Sequence, residues 1–282
     1  MTVSSYFQPA SVPDALALLA EHGPELLVIA GGTVAMPLIN EGISLPAKVM
    51  GLRRAGIDRV ERSGDRLLVG ATATLTALTA QPHVPLLAEA ARHTASWSVR
   101  NMGTIGGNLF TPPPGGDVAT ALLALDAQVE VAGPAGLRVL PLEGFWTGFM
   151  TTALAPDELV VRVVVPVTAS RHAFLKFGRK AANTPAVVTV AARAAMDGNV
   201  VADARVALGA VGPHPLRSAG AEAALTGRAL TPAVIAEAAA AAVEDAQPFS
   251  DAVASEWYRR RMVGVMVERA LAQLALPAER GA

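Results

Sequence analysis

The chain has 282 residues, of which 52% are hydrophobic and 17% are charged, with a formal net charge of −1 and no cysteine. This composition excludes a disordered chain, and the near-zero charge excludes a general attraction to nucleic acid or anionic lipid. Without cysteine the chain has no disulfide, no thiol nucleophile and no cysteine-ligated iron–sulfur cluster of its own. Its length predicts two or three compact units.

Neither a membrane span nor a secretion signal is predicted. The richest apolar segment, "VIAEAAAAAV", is interrupted by Glu237, and a span needs about 20 mainly apolar residues. The N-terminal segment "MTVSSYFQPASVPDALALL" lacks the basic start and apolar centre of a signal peptide. We therefore expect a soluble, cytoplasmic protein. The five histidines are scattered and form no HxxxH or HExxH pattern, so no metal site is predicted.

The first part of the chain mixes predicted helices and strands. Helices are expected over residues 13–23, with Pro13 near the start and Gly23 at the end, and over residues 84–96. The predicted strands are "ELLVIA" (25–30), the first part of "RLLVGATATLTAL" (66–78), the pair "QVEVAG" and "LRVLPL", and "ELVVRVVVPV" (158–167).

The character of the sequence changes near residue 170. The segment "PAVVTVAARAAMDGNVVADARVALGAVG" predicts two strands joined by a hairpin turn at Asp197, Gly198 and Asn199. Thr231 and Pro232 predict the start of an alanine-rich helix, as its N-cap and its first helical residue.

The last helix is expected to begin at Ser250 or Asp251. Apolar residues cover much of its circumference, so it should pack on two sides. It also carries three consecutive arginines, Arg259, Arg260 and Arg261. Two interpretations are open: the helix contributes to a docking surface for a partner, or it is buried within its own domain.

Together these patterns predict an α+β protein with two domains, residues 1–168 and residues 169–282. The segment at residues 52–66 is charged and poor in apolar residues. It divides the first domain into lobes of about 1–55 and 56–168.

Two glycine-rich loops stand out. The first, "AGGT" at residues 30–33, follows a predicted strand, and the second, "GTIGGN" at residues 103–108, precedes "LFTPPPGGD". Neither loop fits GxGxxG at the start of a helix, and neither fits GxxxxGK[ST]. The three consecutive prolines after the second loop cannot continue a helix. Glycine lets the backbone approach a ligand closely, so successive N–H groups could form an anion-binding concavity without a helix.

Polar side chains beside the two loops suit a nucleotide. Thr33, Thr104 and Asn108 add hydrogen-bond donors, so a pyrophosphate could lie between the loops. Asp117 would repel a phosphate but would accept hydrogen bonds from ribose or ribityl hydroxyls, and the prolines before it restrict the loop that carries it. A tight turn is the simpler explanation of a single glycine pair. Two glycine loops with adjacent donors, and an Asp after the prolines, favour a ligand over two structural turns.

Several segments together resemble one family. "AGGT", "RNMGTIGGNLFTPPPGGD" with "LLALDAQVEV", "FLKFGRK", "DARVALGAVGPHPLR" and "YRRRMVGVMVERAL" are similar, in this order, to the FAD-binding medium subunits of molybdenum hydroxylases. Aerobic carbon monoxide dehydrogenase and xanthine dehydrogenase-type complexes contain such subunits. The resemblance implies two α/β lobes that grip FAD, as in the vanillyl-alcohol oxidase group. It also implies a C-terminal α/β domain with a small antiparallel sheet and helices.

The resemblance also implies which residues bind FAD. Asp117 matches the carboxylate that binds the ribityl or ribose region, Val160 falls at a backbone contact to the flavin, and Lys176 falls where a lysine lies close to the cofactor. The residues that match the two pyrophosphate loops are Ala30, Gly31, Gly32, Thr33 and Val34 in the first, and Thr104, Ile105, Gly106, Gly107 and Asn108 in the second.

The sequence departs from the family pattern at two places. Val34 stands where the family often has a polar residue after the glycines, so it contributes only its backbone. The segment "ANTPAVV" lacks an Asp that is common there, which leaves the flavin-side environment open.

By resemblance, the chemistry is divided among subunits. A large subunit holds the molybdenum cofactor, a small subunit carries two [2Fe–2S] clusters, and the flavin subunit passes electrons through FAD to an external acceptor. A dimer of such heterotrimers is implied. The residues predict no catalytic acid–base pair or nucleophile, and this role needs none.

Two alternatives use the same sequence. One is a self-sufficient FAD-dependent oxidase or reductase on the same fold, and the other is a non-catalytic module whose glycine loops are structural. The substrate of a complex is not predicted, so carbon monoxide, purines, aldehydes and N-heteroaromatics remain equally open.

Overall fold

The computed structural model describes residues 3–113 and 115–276, so the third of the consecutive prolines and both chain ends lie outside the described residues. The strands are β1 (Ser5–Phe7), β2 (Leu26–Ile29), β3 (Lys48–Gly51), β4 (Val60–Ser63), β5 (Arg66–Gly70), β6 (Gln128–Gly133), β7 (Gly136–Pro141), β8 (Trp146–Gly148), β9 (Thr151–Thr152), β10 (Leu159–Pro166), β11 (Arg171–Gly178), β12 (Ala186–Asp197), β13 (Val200–Gly209) and β14 (Leu216–Arg217).

Helices connect and cover these strands. They are α1 (Val12–His22), α2 (Ala35–Asn40), α3 (Leu75–Thr79), α4 (Pro85–His93), α5 (Trp97–Arg100), α6 (Ile105–Leu109), α7 (Asp117–Ala124), α8 (Ala219–Leu225), α9 (Pro232–Asp245) and α10 (Glu256–Ala275), with short 3₁₀ turns at Gly23–Glu25 and Leu52–Arg54. The mixture of helices and sheets confirms the α+β prediction.

The strands form three main sheets. A parallel sheet has the order β1-β3-β2, a five-stranded sheet has the order β4-β5-β10-β6-β7, and a four-stranded sheet has the order β11-β12-β13-β14. All strand pairs of the second and third sheets are antiparallel. The first sheet comes from residues 5–51, the second from residues 60–166 and the third from residues 171–217.

Local sequence signals place several elements correctly. Ser11 caps α1 by accepting a hydrogen bond from the Asp14 N–H, and Thr231 caps α9 by accepting one from the Val234 N–H. In the hairpin of β12 and β13, Asp197 pairs with Val200, and Gly198 has a φ of 57°. The cap at Thr231 and the turn follow the prediction, whereas the cap at Ser11 was not predicted. Each feature depends on residues close together in sequence.

The start of the last helix differs from the prediction. α10 begins at Glu256 with Ser255 as its N-cap, not at Ser250 or Asp251. The Asp251 carboxylate instead accepts hydrogen bonds from the N–H groups of Val253 and Ala254, and the Ser250 hydroxyl accepts one from the Glu256 N–H. These local hydrogen bonds hold residues 250–255 in a turn and delay the helix.

α10 packs on two sides, as its apolar pattern predicts. It lies between α9 and the strands β11 and β12. Arg259, however, is fully buried, and its guanidinium donates to the carbonyls of Ala186, Val187 and Ala210. The interpretation that Arg259 belongs to a docking surface is therefore wrong, because this side chain joins strand ends inside its own domain.

Candidate cofactor site

The two glycine-rich loops are in direct contact. A Cβ atom on Gly31 would lie 1.9 Å from the Met102 carbonyl oxygen and 3.0 Å from the Gly103 Cα. A Cβ atom on Gly103 would in turn lie 3.4 Å from the Thr33 Oγ1. The loops therefore approach at a distance that only glycine at position 31 allows.

The first loop offers free hydrogen-bond donors. It connects β2 to α2, and Gly32 takes a positive φ of 71°. Within the part of the chain that the structure describes, the backbone N–H groups of residues 31–34 have no hydrogen-bond acceptor. Ala30, half-buried, joins this loop to β2, and Val34 is exposed. Successive free N–H groups in a glycine loop suit an anion.

The second loop differs from its prediction, because a short helix begins within it. Thr104 caps α6, and its Oγ1 accepts a hydrogen bond from the Gly107 N–H at 3.0 Å. The Ile105 and Gly106 N–H groups bond to the carbonyls of Ala73 and Ala71. The prolines follow the end of α6, so they do not prevent it. These donors are already used inside the protein.

Strand β10 is linked to the second loop by hydrogen bonds through Ala71. Its register shifts next to Val160, and the Val161 carbonyl oxygen accepts a hydrogen bond from the Ala71 N–H at 3.0 Å. Ala71 also accepts the hydrogen bond from Gly106. Val160 as a whole residue is 3% exposed, and its side chain packs in the core, so the side chain is not directed at a ligand.

Asn108 joins the second loop to helix α7. Its Oδ1 accepts a hydrogen bond from the Ala119 N–H at 2.9 Å, and the side chain is almost fully buried. This bond satisfies one of the free donors in the first turn of α7. Because Asp117 is the first residue of α7, Asn108 also fixes the place of Asp117 relative to the second loop.

The sequence predicts that Asp117 lies on a loop that faces a ligand, and the structure differs. Asp117 begins α7, and both of its carboxylate oxygens have protein partners. Oδ2 accepts a hydrogen bond from the Lys176 Nζ at 2.6 Å, and Oδ1 accepts one from the Thr189 Oγ1 at 3.0 Å. The side chains of Asp117 and Lys176 are only 7% and 9% exposed. A carboxylate has about four lone-pair positions, so these bonds leave acceptor capacity on Asp117.

The sheet of the C-terminal part brings Lys176 and Thr189 together. They are direct partners across β11 and β12, and Thr189 also pairs with Gly209 on β13. A Cβ atom on Gly209 would lie 2.3 Å from the Thr120 Oγ1 of α7. The absence of a side chain at Gly209 therefore allows the start of α7 to rest on this sheet.

Thr189 is a site residue that the sequence interpretation missed. It is 1% exposed, and its hydroxyl is directed at Asp117. A signal was present, since Thr189 is the one hydroxyl in the apolar run "AVVTVAARAA". A buried hydroxyl needs a hydrogen-bond partner, and that requirement would have marked the position.

Apart from Val160, which lies in the core, the predicted residues belong to two connected groups. The first comprises residues 30–34 and residues 102–107, where the two loops touch. The second comprises Asn108, Asp117 and Lys176, which Thr189 completes. α6 links the groups, because it starts in the second loop and ends at Leu109, the residue after Asn108.

Two further observations concern the part of the chain that the structure describes. No group of three or more His, Cys, Asp or Glu side chains there is arranged to hold a metal ion. No helix among these residues is both long enough and apolar enough to cross a membrane.

The chain matches two protein-family models in succession. Residues 2–168 match the FAD binding domain in molybdopterin dehydrogenase. Residues 172–274 match the CO dehydrogenase flavoprotein C-terminal domain.

Curated proteins and solved structures agree with this match. The chain is 34% identical to the carbon monoxide dehydrogenase medium chain of Hydrogenophaga pseudoflava, over 94% of this chain and 95% of that one. It is 33% identical to the alpha subunit of the 6-hydroxypseudooxynicotine dehydrogenase complex of Paenarthrobacter nicotinovorans, over 95% and 93% of the two chains. A solved structure of carbon monoxide dehydrogenase from Hydrogenophaga pseudoflava superposes with a TM-score of 0.93 at 33% identity, covering 97% of each chain.

Proposed function

This chain belongs to the family of FAD-binding flavoprotein subunits of molybdopterin-dependent dehydrogenases, and we propose that it is the electron-transfer subunit of a molybdenum hydroxylase complex. FAD is the cofactor of this family and of this chain, which is therefore a subunit of an oxidoreductase. In the proposed role, electrons come from [2Fe–2S] clusters of a partner subunit and leave to an external acceptor.

One observation supports the two glycine loops as the FAD site: the contact between Gly31 and the backbone of Met102 and Gly103. It places the free N–H groups of residues 31–34 beside the second glycine loop. A pyrophosphate needs several donors that converge on its oxygens, and free backbone N–H groups in a glycine loop supply them. The donor set therefore fits the central part of FAD.

The proposed role of each residue follows from what its atoms have available. In the first loop, residues 30–34 bind the pyrophosphate through backbone N–H groups and the Thr33 hydroxyl. In the second loop, residues 104–108 mainly shape the site, because the N–H groups of Ile105, Gly106 and Gly107 are bonded within the protein. When bound, the flavin ring of FAD supplies the redox chemistry.

Asp117 and Lys176 act together in this proposal. Asp117 accepts hydrogen bonds from ribityl or ribose hydroxyls with the lone pairs that Lys176 and Thr189 leave free. Lys176 adds a positive charge near the flavin, and the Val160 backbone provides a further contact. Burial of the Asp117–Lys176 pair supports a fixed geometry for both charges.

The proposed partners are a large subunit with the molybdenum cofactor and a small subunit with two [2Fe–2S] clusters. A chain without cysteine cannot ligate such clusters through thiolates, so they must lie on another chain. We further propose a dimer of these heterotrimers. The proposed fold type is that of vanillyl-alcohol oxidase for residues 1–168, with lobes of about 1–55 and 56–168, followed by the C-terminal domain at residues 169–282. The cytoplasmic location stays a prediction.

A second candidate is a self-sufficient FAD-dependent oxidase or reductase. One observation favours it, a cleft of about 250 Å³ between residues 109–113 and 115, the β8–β9 hairpin and residues 210–215. A small substrate could enter this cleft. Among its described lining residues, however, His214 is the one ionisable side chain. Its Nδ1 already lies 2.8 Å from the Pro215 carbonyl oxygen, so the cleft offers little acid–base chemistry.

Three experiments test the proposal, and the last two separate it from the second candidate. The purified chain should release FAD into the filtrate after denaturation, and a filtrate without flavin from folded protein would contradict the proposal. The isolated chain should not turn over purines, aldehydes, N-heteroaromatics or carbon monoxide. Co-expression with the subunits encoded beside it should yield an active complex of three subunits. Steady turnover by the isolated chain would instead establish the second candidate.

A further inference from the structure

We propose that Arg53 is an additional binding residue for the pyrophosphate of FAD. This inference rests on the proposed function, because it assumes that FAD binds between the two glycine loops. It concerns a residue that neither the two glycine-rich loops nor Asp117 indicates. Three observations carry it: the place of Arg53 in the parallel sheet, its contact with Met102 and its unused donors.

The parallel sheet places Arg53 at the same edge as the first glycine loop. β2 and β3 run in the same direction, and Ile29 pairs with Gly51. The first loop leaves the sheet after β2, and the 3₁₀ turn Leu52–Arg54 leaves it after β3. In parallel sheets, ligands bind in the crevice beyond the carboxyl ends of the strands. Arg53 is therefore at the edge where such a ligand lies.

A side-chain contact brings Arg53 to the junction of the two loops. Its Nη2 donates to the Met102 Sδ at 2.8 Å. The Met102 backbone is the surface against which Gly31 packs. The guanidinium thus lies next to the residue that connects the first loop to the second.

The donors of Arg53 are largely unused. A thioether sulfur is a weak acceptor, and a guanidinium has five N–H donors. Among the described residues, Arg53 has no carboxylate partner and no other hydrogen bond, and the residue is exposed. An exposed guanidinium held by a weak acceptor can turn to an anion at small cost, and its planar fork matches phosphate oxygens.

Charge supports the same assignment. The free N–H groups of residues 31–34 supply partial positive charge, whereas a pyrophosphate carries full negative charges. The Arg53 guanidinium, held at Met102 where the two loops touch, supplies a full positive charge. Arg54, the next residue, is also exposed but has no side-chain hydrogen bond or ion pair among the described residues. It therefore serves as a matched control.

The test is a titration of the flavin-free full chain with FAD, followed by fluorescence. We expect the Kd of Arg53→Gln to rise about 10- to 100-fold, the range for a hydrogen bond to a charged group. Arg54→Gln should stay within about 2-fold of wild type, since exposed charges without partners contribute little. Arg53→Lys should recover part of the affinity, because lysine keeps the charge without the fork.

Two further measurements test whether the effect is on the diphosphate and not on folding. ADP carries the diphosphate without the flavin, so Arg53→Gln should also weaken competition by ADP. Unfolding of all variants should match wild type. Equal FAD affinities for Arg53→Gln and Arg54→Gln would overturn this inference and leave the proposed function standing. Failure of the wild-type chain to bind FAD would overturn the proposed function, and this inference with it.

Discussion

Asp117 and Lys176 are 59 positions apart in the chain, yet the Lys176 Nζ lies 2.6 Å from the Asp117 Oδ2. Asp117 begins α7, whereas Lys176 lies on β11, so the pair joins the two parts of the protein. Both side chains are more than nine-tenths buried. Removal of one partner from such a pair leaves an uncompensated buried charge, which costs more than the pair itself contributes.

The first prediction is that Asp117→Ala destabilises the protein even without FAD. We expect a loss of about 3–5 kcal/mol in the free energy of unfolding, because Lys176 would remain buried and unpaired. The sequence alone suggests a different outcome, with the fold intact and FAD affinity lowered by about 1.5–3 kcal/mol. Urea unfolding of the flavin-free chain distinguishes the two.

A second variant and a control complete this test. Adding Lys176→Met to Asp117→Ala should recover part of the lost stability, because the stranded charge is removed. Glu237→Ala breaks an exposed pair with Arg228, 2.8 Å apart, and should cost less than about 1 kcal/mol. A stability of Asp117→Ala close to that of Glu237→Ala would show that the buried pair is unimportant.

The second prediction concerns Gly31, where the two loops touch. Gly31→Ala would place a Cβ atom 1.9 Å from the Met102 carbonyl oxygen, and backbone atoms must move to relieve it. We expect FAD affinity to fall by at least about 10-fold, since the loops would separate where the ligand needs both. Isothermal titration with FAD measures this effect.

Gly264→Ala is the matched control for Gly31→Ala. Its Cβ would lie 3.3 Å from Val243 Cγ2, a side-chain methyl rather than a backbone atom, and position 264 is within α10. Alanine is favoured over glycine in helices by up to about 1 kcal/mol, which offsets a tight contact. FAD affinity of Gly264→Ala should equal that of wild type. Equal affinities for both variants would mean that the contact of the loops does not matter.

The third prediction concerns Asp126, which accepts hydrogen bonds from three arginines of the C-terminal sheet. Its oxygens lie 2.6 Å from Arg193 Nη2, 2.9 Å from Arg205 Nε and 2.8 Å from Arg217 Nη1. Asp126 also has a φ of 52°, which asparagine tolerates. Asp126→Asn should therefore remove charge without backbone strain and cost about 1.5–3 kcal/mol.

Thermal unfolding tests the role of Asp126. We expect Asp126→Asn to lower the melting temperature and to broaden the transition, because the contact between the two parts of the protein weakens. Asp197→Asn changes an exposed carboxylate in the β12–β13 turn and should shift stability by no more than about 0.5 kcal/mol. Identical melting curves for both variants would contradict a role of Asp126 in holding the parts together.

The fourth prediction is a pH dependence at Asp251. Burial raises the pKa of the Asp251 carboxyl, but hydrogen bonds from the Ala254 N–H, the Arg259 guanidinium and the Val253 N–H outweigh it, and the pKa lies below its usual value. A lowered pKa means that the carboxylate stabilises the fold above its unfolded pKa of about 3.9. This stability is lost as the pH falls through the lower, folded value.

Asp251→Asn should therefore be less stable than wild type at pH 7, by about 1.5–3 kcal/mol. The difference should shrink below about pH 4, where the unfolded chain begins to bind a proton at Asp251 that the folded carboxylate, with its lower pKa, does not yet bind. Urea unfolding across this range measures it, with Asp65→Asn, an exposed turn residue, as the control. A difference that stays constant from pH 7 to pH 3 would exclude the carboxylate as its source.

Features set by neighbouring residues could be predicted from the sequence. The hairpin turn between Asp197 and Asn199 occurs as predicted. The same holds for the cap at Thr231 and for the strand that ends at Pro166. Each depends on backbone preferences and hydrogen bonds within a few positions, which a short segment contains in full. The ordered motifs also identified the family, since they extend along most of the chain.

Contacts between distant segments were decided only by the tertiary structure. Neither the approach of Gly31 to Met102 nor the bonding of Asp117 to Lys176 and Thr189 follows from any local pattern. Periodicity indicates which face of an element is buried but not which side chain it meets there. Asp117 could therefore be recognised from the sequence as a conspicuous carboxylate after a proline-rich loop, whereas its buried partners depend on how the C-terminal sheet packs against α7.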